Sequence, residues 1–372
     1  MLPASPWVRW AAAVFVGFIV LHALGQAGSE RYAHHTSFGE IARKVGLKDK
    51  ESQTWYAGRR IMPHERWTPP VVEAKTVNGT SFNYPYVFLN NGDFSEDFRR
   101  RTSSLASGKT SYGKIPKEHW GDGFPESVNA TLALEKINEM GKLPIPYAGS
   151  VPYRKMCRYQ SGFFWRHPLL DGLDYYRRVE PSVKFYCDMD YDPFRMMKHS
   201  GKRYGFVVSL YEYQDTIVSY DTTKNFMALH PEHIASPNAL DWISNDGGKT
   251  YNLCHFWSNF EIASLDLWRS EAYRACFDYL DKSGGFFYER CDPQSFLRET
   301  IELTRSPEEI HAFFDVDYCH EPFQHCPLPE PNKPPRCSCS PYKEENLYNH
   351  GYSCTPRWRE LYMNPFKIRG GH

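Results

Sequence analysis

The chain has 372 residues, enough for one large domain or two smaller ones. Its 44 basic and 44 acidic residues cancel, so no global field draws it to nucleic acid, and no nucleic-acid partner is expected. A charged fraction of 24% with 16% aromatics excludes bulk disorder and supplies both a core and flat faces for sugar rings.

Residues 1–6 read as a short cytoplasmic tail and 7–25 as a signal anchor. The run "WVRWAAAVFVGFIVLHAL" (7–24) carries one charged residue, Arg9, and spans about 27 Å as a helix. Arg9 at its start places the rest of the chain in the lumen. The rival is a cleaved signal peptide, since "ALG" (23–25) resembles a cleavage site. Residues 26–76 are polar and aperiodic and read as a stem, leaving 77–372 as a lumenal domain. Sequons at Asn78 and Asn129 and ten cysteines agree with an oxidising secretory compartment. Cys326, Cys337, Cys339 and Cys354 cluster in a Pro-rich tail and read as disulfide staples, with the pairing open; zinc is the alternative.

Strand-like stretches follow at 84–91, 183–191 and 204–213, each rich in β-branched and aromatic residues. Helical patterns lie at 125–142 and 259–282, the latter stopping at Ser283-Gly284-Gly285. That alternation predicts an α/β fold with a mixed, largely parallel sheet. The segment "SVPYRKMCRYQ" sets Tyr153 among Arg154, Lys155 and Arg158, cations suited to phosphates. "CDMDYD" aligns Asp188, Asp190 and Asp192 like a hard-cation site, although Asp192-Pro193 is equally a helix start. Ser258 and Glu261 have capping-box spacing, and Glu261 is also a candidate substrate-facing carboxylate.

The tracts "YAGSVPYRKMCRYQSGFFWRHPLL", "YYRRVEPSVKFYCDMDYDPF", "DGGKTYNLCHFWSNFEIA" and "GGFFYER" resemble the fungal Golgi α-1,2-mannosyltransferases, glycosyltransferase family 15. The resemblance runs from about 84 to 358. It implies a GT-A-like nucleotide-sugar transferase fold in a single-pass type II Golgi membrane protein. The implied reaction moves mannose from GDP-mannose to a mannose 2-hydroxyl of a glycan, with manganese and with retention of configuration. By position it makes Glu180 and His320 the metal ligands, Glu261 and Tyr153 competing candidates for the catalytic nucleophile, and Arg158 a donor-binding cation. Two tracts depart from the family pattern. "WTPPVVEAKTVNGTSFN" (67–83) stands where a first donor-binding strand is expected, and "CDPQSFLRE" (291–299) replaces "WGDAPVHS". They sustain a second reading, a non-catalytic relative that binds mannan or scaffolds other transferases.

Overall fold

Two of the three aromatic and β-branched stretches become short strands, and the helices between them each bury one stripe. The computed structural model describes residues 82–363, apart from 144, 146, 188, 190, 213–219, 290–299, 302, 329–336, 343–345 and 348–349. The predicted anchor, the stem, Asn78, Asp188, Asp190 and the tract 291–299 lie outside the described residues. Among the described residues, no helix is long and apolar enough to cross a membrane.

The described chain opens with a β–α–β unit. Strands β1 (Tyr86–Asn90) and β2 (Thr110–Lys114) pair in parallel through the crossover helix α1 (Glu96–Leu105). Ser95 Oγ accepts the Phe98 N–H at 3.1 Å, and Glu96 and Asp97 sit in the first turn, where the helix dipole favours carboxylates. Helix α2 (Ala130–Met140) is capped by the sequon residue Asn129, whose Oδ1 accepts the Leu132 N–H. Helix α3 (Val151–Gly162) follows, capped by Ser150.

Strand β3 (Tyr175–Val179) comes next, then α4 (Pro193–His199). Asp192 is the N-cap of α4: its Oδ1 accepts the N–H groups of Phe194 and Arg195 at 3.0 and 3.1 Å. Its Oδ2 accepts the Tyr84 hydroxyl at 2.6 Å, so the helix-start reading of this aspartate is the one realised. The expected strand 183–191 does not form among the described residues. Its contacts are single bridges, Lys184 to Cys319 and Cys187 to Cys337. The stretch 204–213 divides into β4 (Tyr204–Phe206) and β5 (Ser209–Tyr211).

After α5 (Tyr220–Leu229) and β6 (Cys254–Phe256), the predicted helix 259–282 begins instead as β7 (Phe260–Ser264). It becomes helical only at α6 (Leu265–Arg269) and α7 (Glu271–Lys282), which ends at Gly284 with φ 77°. Strands β8 (Ile310–Ala312), β9 (Tyr318–His320) and β10 (Phe323–His325) and helix α8 (Thr355–Tyr362) complete the described strands and the described α-helices longer than four residues.

The central sheet has the order β3-β7-β4-β8. β7 runs antiparallel to both neighbours, and only β4 and β8 are parallel within it. The sheet is therefore mixed but not largely parallel, because the reversing strand β7 occupies its middle. Both faces are covered. Phe260 and Ile262 face a core with Met197, Phe313 and Tyr318, while Ala263 and Phe206 face one built on α3, α6 and α7. Three disulfides, Cys187–Cys337, Cys254–Cys354 and Cys326–Cys339, take up all four tail cysteines, two of them anchored to the body of the fold.

Candidate active site

Strand periodicity builds the site. Alternate residues of β3 and its exit, Tyr176, Arg178 and Glu180, share one face of the sheet. The antiparallel register sets Arg178 directly opposite Glu261 on β7, and Phe206 of β4 pairs with Glu261 on its other side. Glu261 is thus a carboxylate in the middle of a sheet, 6% exposed. It closes no helix, so the capping box expected with Ser258 is absent; a capping box forms instead at Ser306 and Glu309. The Tyr176 hydroxyl donates to Glu261 Oε1 at 2.6 Å, and the Tyr204 hydroxyl donates to Oε2 at 3.3 Å. Burial raises the Tyr176 phenol well above its ordinary value, and the adjacent Glu261 charge adds to the effect.

Arg178 joins two carboxylates. Its Nη2 pairs with Glu180 Oε1, and its Nη1 reaches Ser258 Oγ at 3.4 Å. Burial opposes the guanidinium charge, but Glu180 and Glu261 outweigh it and hold the pKa above the usual arginine value. Burial lowers the His320 imidazole, against the opposing pull of the nearby Glu180 charge. His320 is held edge-to-face on Trp257, with ring centroids 5.5 Å apart.

Three buried polar atoms here have no hydrogen-bond partner among the described residues: His320 Nδ1, Asn259 Oδ1 and the Tyr318 hydroxyl. Each such orphan costs roughly 1–3 kcal/mol, an expense that a bound ligand removes. A carboxylate and an unpartnered imidazole nitrogen within electrostatic reach fit a divalent cation whose other positions go to diphosphate oxygens and water. Glu180 thus lies within electrostatic reach of His320, and Arg178 within reach of both Glu180 and Glu261, from three different strands or strand ends. Arg178, Tyr176, Tyr204, Asn259 and Tyr318 were not singled out from the sequence. For Arg178 the available signal was its alternation with Glu180.

Tyr153 and Arg158 are carried by α3. Tyr153 stacks on Tyr147, 5.0 Å between centroids at 11°, and its backbone N–H is taken by the Ser150 cap. The basic cluster around it is largely committed to the protein. Arg154, 1% exposed, donates to the carbonyls of Ala148, Phe286 and Glu289. Lys155 donates to the Gly121 carbonyl at 2.8 Å. Arg158 grips Asp281 with both nitrogens, at 2.6 and 2.7 Å, and lies over the Phe163 ring. Any donor-binding role of Arg158 has to compete with that pair.

The sequence model for glycolipid 2-alpha-mannosyltransferases matches residues 72–363. The alpha-1,2 mannosyltransferase KTR1 of Saccharomyces cerevisiae is 43% identical over 369 residues, covering 95% of this chain and 92% of that one. Glycolipid 2-alpha-mannosyltransferase 2 of Candida albicans is 48% identical over 281 residues, 75% of this chain and 60% of its own length. Among solved structures, core-mannan synthase A from Aspergillus fumigatus, in an Mn/GDP form, matches with a TM-score of 0.70 at 36% identity, over 75% of this chain and 77% of that one. The mannosyltransferase Ktr4p of S. cerevisiae in complex with GDP matches with a TM-score of 0.72 at 33% identity, over 77% and 76%. Fold and family together define a glycosyltransferase. The chain belongs to the glycolipid 2-alpha-mannosyltransferase family, glycosyltransferase family 15.

Proposed function

We propose that this chain is a retaining α-1,2-mannosyltransferase that moves mannose from GDP-mannose to the 2-hydroxyl of a mannose-terminated glycan on glycoprotein or glycolipid. The observation that carries the reading is Glu261, a buried carboxylate held by two tyrosine hydroxyls and linked through Arg178 to Glu180. Glu180 and His320 would hold manganese, the ion of the Mn/GDP relative, which neutralises charge on the departing diphosphate.

The chain's own residues do the rest. Tyr176 and Tyr204 fix both oxygens of Glu261, so the carboxylate is oriented before substrate arrives. Arg178, opposite Glu261 across the strand pair, sets a positive charge beside the two carboxylates. An ionised Glu261 then stabilises the cationic sugar or attacks its anomeric carbon, which is what retention requires. Tyr153, at the start of α3, is the competing nucleophile or positioner. Arg158 would meet the diphosphate only by exchanging Asp281 for it.

We further propose a Golgi membrane location, with residues 7–25 as a type II anchor, 26–76 as a stem and the transferase domain from 77 in the lumen. The apolar run, the sequons and the disulfides support that placement.

Glu261→Gln tests the reading. Glutamine keeps the shape but loses the charge, and a hydroxyl can turn to accept from it, so stability should change by about 1 kcal/mol. Mannose transfer from GDP-mannose to a methyl mannoside should fall at least a hundredfold, with GDP binding retained. Transfer by the variant at close to the wild-type rate would remove Glu261 from the chemistry.

A further inference from the structure

We propose that His230, Glu232 and His233 form a second metal site, separate from the Glu180–His320 pair and suited to a divalent ion of the zinc class. The sequence "HPEH" turns sharply at the end of α5. The His230 N–H still donates to the Phe226 carbonyl at 2.8 Å, continuing the helix. Pro231 then opens a single 3₁₀ turn, Pro231–His233, closed by the His233 N–H on the His230 carbonyl at 3.1 Å. Proline fixes one dihedral of that turn, so three metal-binding side chains leave one short, rigid loop.

The imidazoles are also held from below. The Phe226 ring lies 5.0 Å from the His230 ring and 6.2 Å from the His233 ring, and the latter pair is parallel to within 10°. Glu232 Oε1 stands 3.2 Å from His230 Nδ1 and 3.9 Å from His233 Nε2, and all three donor atoms lie within 4.8 Å of one another. Zinc bonds of about 2.0–2.1 Å put neighbouring tetrahedral donors roughly 3.3 Å apart. The remaining mismatch is within reach of rotamer shifts, since the Glu232 side chain is 60% exposed and that of His230 39%.

Two imidazoles and one carboxylate favour zinc, copper or nickel over manganese or magnesium, which prefer oxygen. Three protein ligands leave a position open, and His233 lines a cavity of about 500 Å³ whose charged walls are Glu271 and Asp278 together with Arg166 and Arg274. An ion held by His233 beside that cavity would offer a water or an anionic ligand a place to sit.

The test uses the purified full-length chain, saturated with manganese and GDP so that the first site is occupied. Zinc titrated by calorimetry should bind in the micromolar range, and cobalt should give the visible absorption of a low-coordinate N/O site. Glu232→Ala and His230→Ala, both at exposed positions, should each weaken zinc binding at least tenfold and abolish the cobalt band, with metal-free melting and GDP affinity unchanged. Equal zinc affinity and stoichiometry in wild type and both variants would overturn the proposal. So would a wild-type chain that binds no zinc under these conditions, which would leave the three side chains as a local hydrogen-bonded cluster.

Discussion

Arg178 is the residue on which the site turns, since one guanidinium serves two carboxylates in a space with little water. Its side chain is 15% exposed and that of Glu180 25%. Removing the guanidinium leaves the carboxylates without their cation, and a broken buried pair costs about 3–5 kcal/mol. Arg178→Met should therefore destabilise the fold by roughly 3 kcal/mol, measured by urea denaturation, and abolish mannose transfer as well. Arg178→Lys keeps the charge but not the two-pronged reach, so it should cost less stability while still lowering transfer. A cost for Arg178→Met below about 0.5 kcal/mol would mean that the carboxylates do not depend on it. The same scale corrects the capping-box reading of Glu261: the Ser-x-x-Glu spacing fits a helix start, but cross-strand pairing makes the segment a strand.

Between elements, helix α3 is pressed against α7 at Gly162. A Cβ built there would lie 2.0 Å from the tip of the Phe277 ring. Phe277 is 2% exposed and packed edge-to-face on Phe163, so it has nowhere to retreat. Gly→Ala inside a helix ordinarily stabilises by up to about 1 kcal/mol. Overpacking a filled core costs about 1–3 kcal/mol and is the larger effect here. Gly162→Ala should thus lower the melting temperature, and adding Phe277→Leu should recover part of the loss. An alanine variant more stable than wild type would show that the two helices separate easily. The bidentate Arg158–Asp281 pair ties the same two helices, and this explains why a cation expected at the diphosphate is found at their seam.

Across the whole molecule, two buried groups set opposing pH responses. Asp317, 1% exposed, is pushed up to about 6 by burial, which outweighs the N–H donors of Tyr186 and Cys187. His325, also 1% exposed, is pushed down to about 4 by burial, against its hydrogen bond to the Phe314 carbonyl. Folded Asp317 holds its proton longer than the unfolded chain, so its stabilisation is full below about pH 4 and is lost as pH rises to about 6. Folded His325 resists protonation, so its stabilisation is full above about pH 6.5 and is lost as pH falls to about 4. Each shift is near two units, on the order of 3 kcal/mol, and the two largely offset one another in the wild type. Relative to wild type, the stability of Asp317→Asn should rise with pH between 4 and 6, and that of His325→Gln should fall. Urea melts at pH 4, 5 and 6 read both slopes, and parallel curves for all three proteins would refute the assignment.

From the sequence alone come the α/β class, the family, the helix start at Asp192, a helix within 125–142, and the choice of Glu180 and Glu261 as candidate carboxylates. These features are local or written in long contiguous motifs, so neighbours along the chain suffice to read them. Tertiary structure decided what those carboxylates meet. Pairing of β7 with β3 and β4 turned a predicted helix start into a central strand, and it set Arg178, Tyr176 and Tyr204 around Glu261. It also engaged Arg154 and Arg158 within the protein and matched Cys187 and Cys254 to tail cysteines 150 and 100 residues away. Partners so distant along the chain leave no local signal: a strand's register, and with it the face each side chain occupies, is settled only when its neighbours are in place.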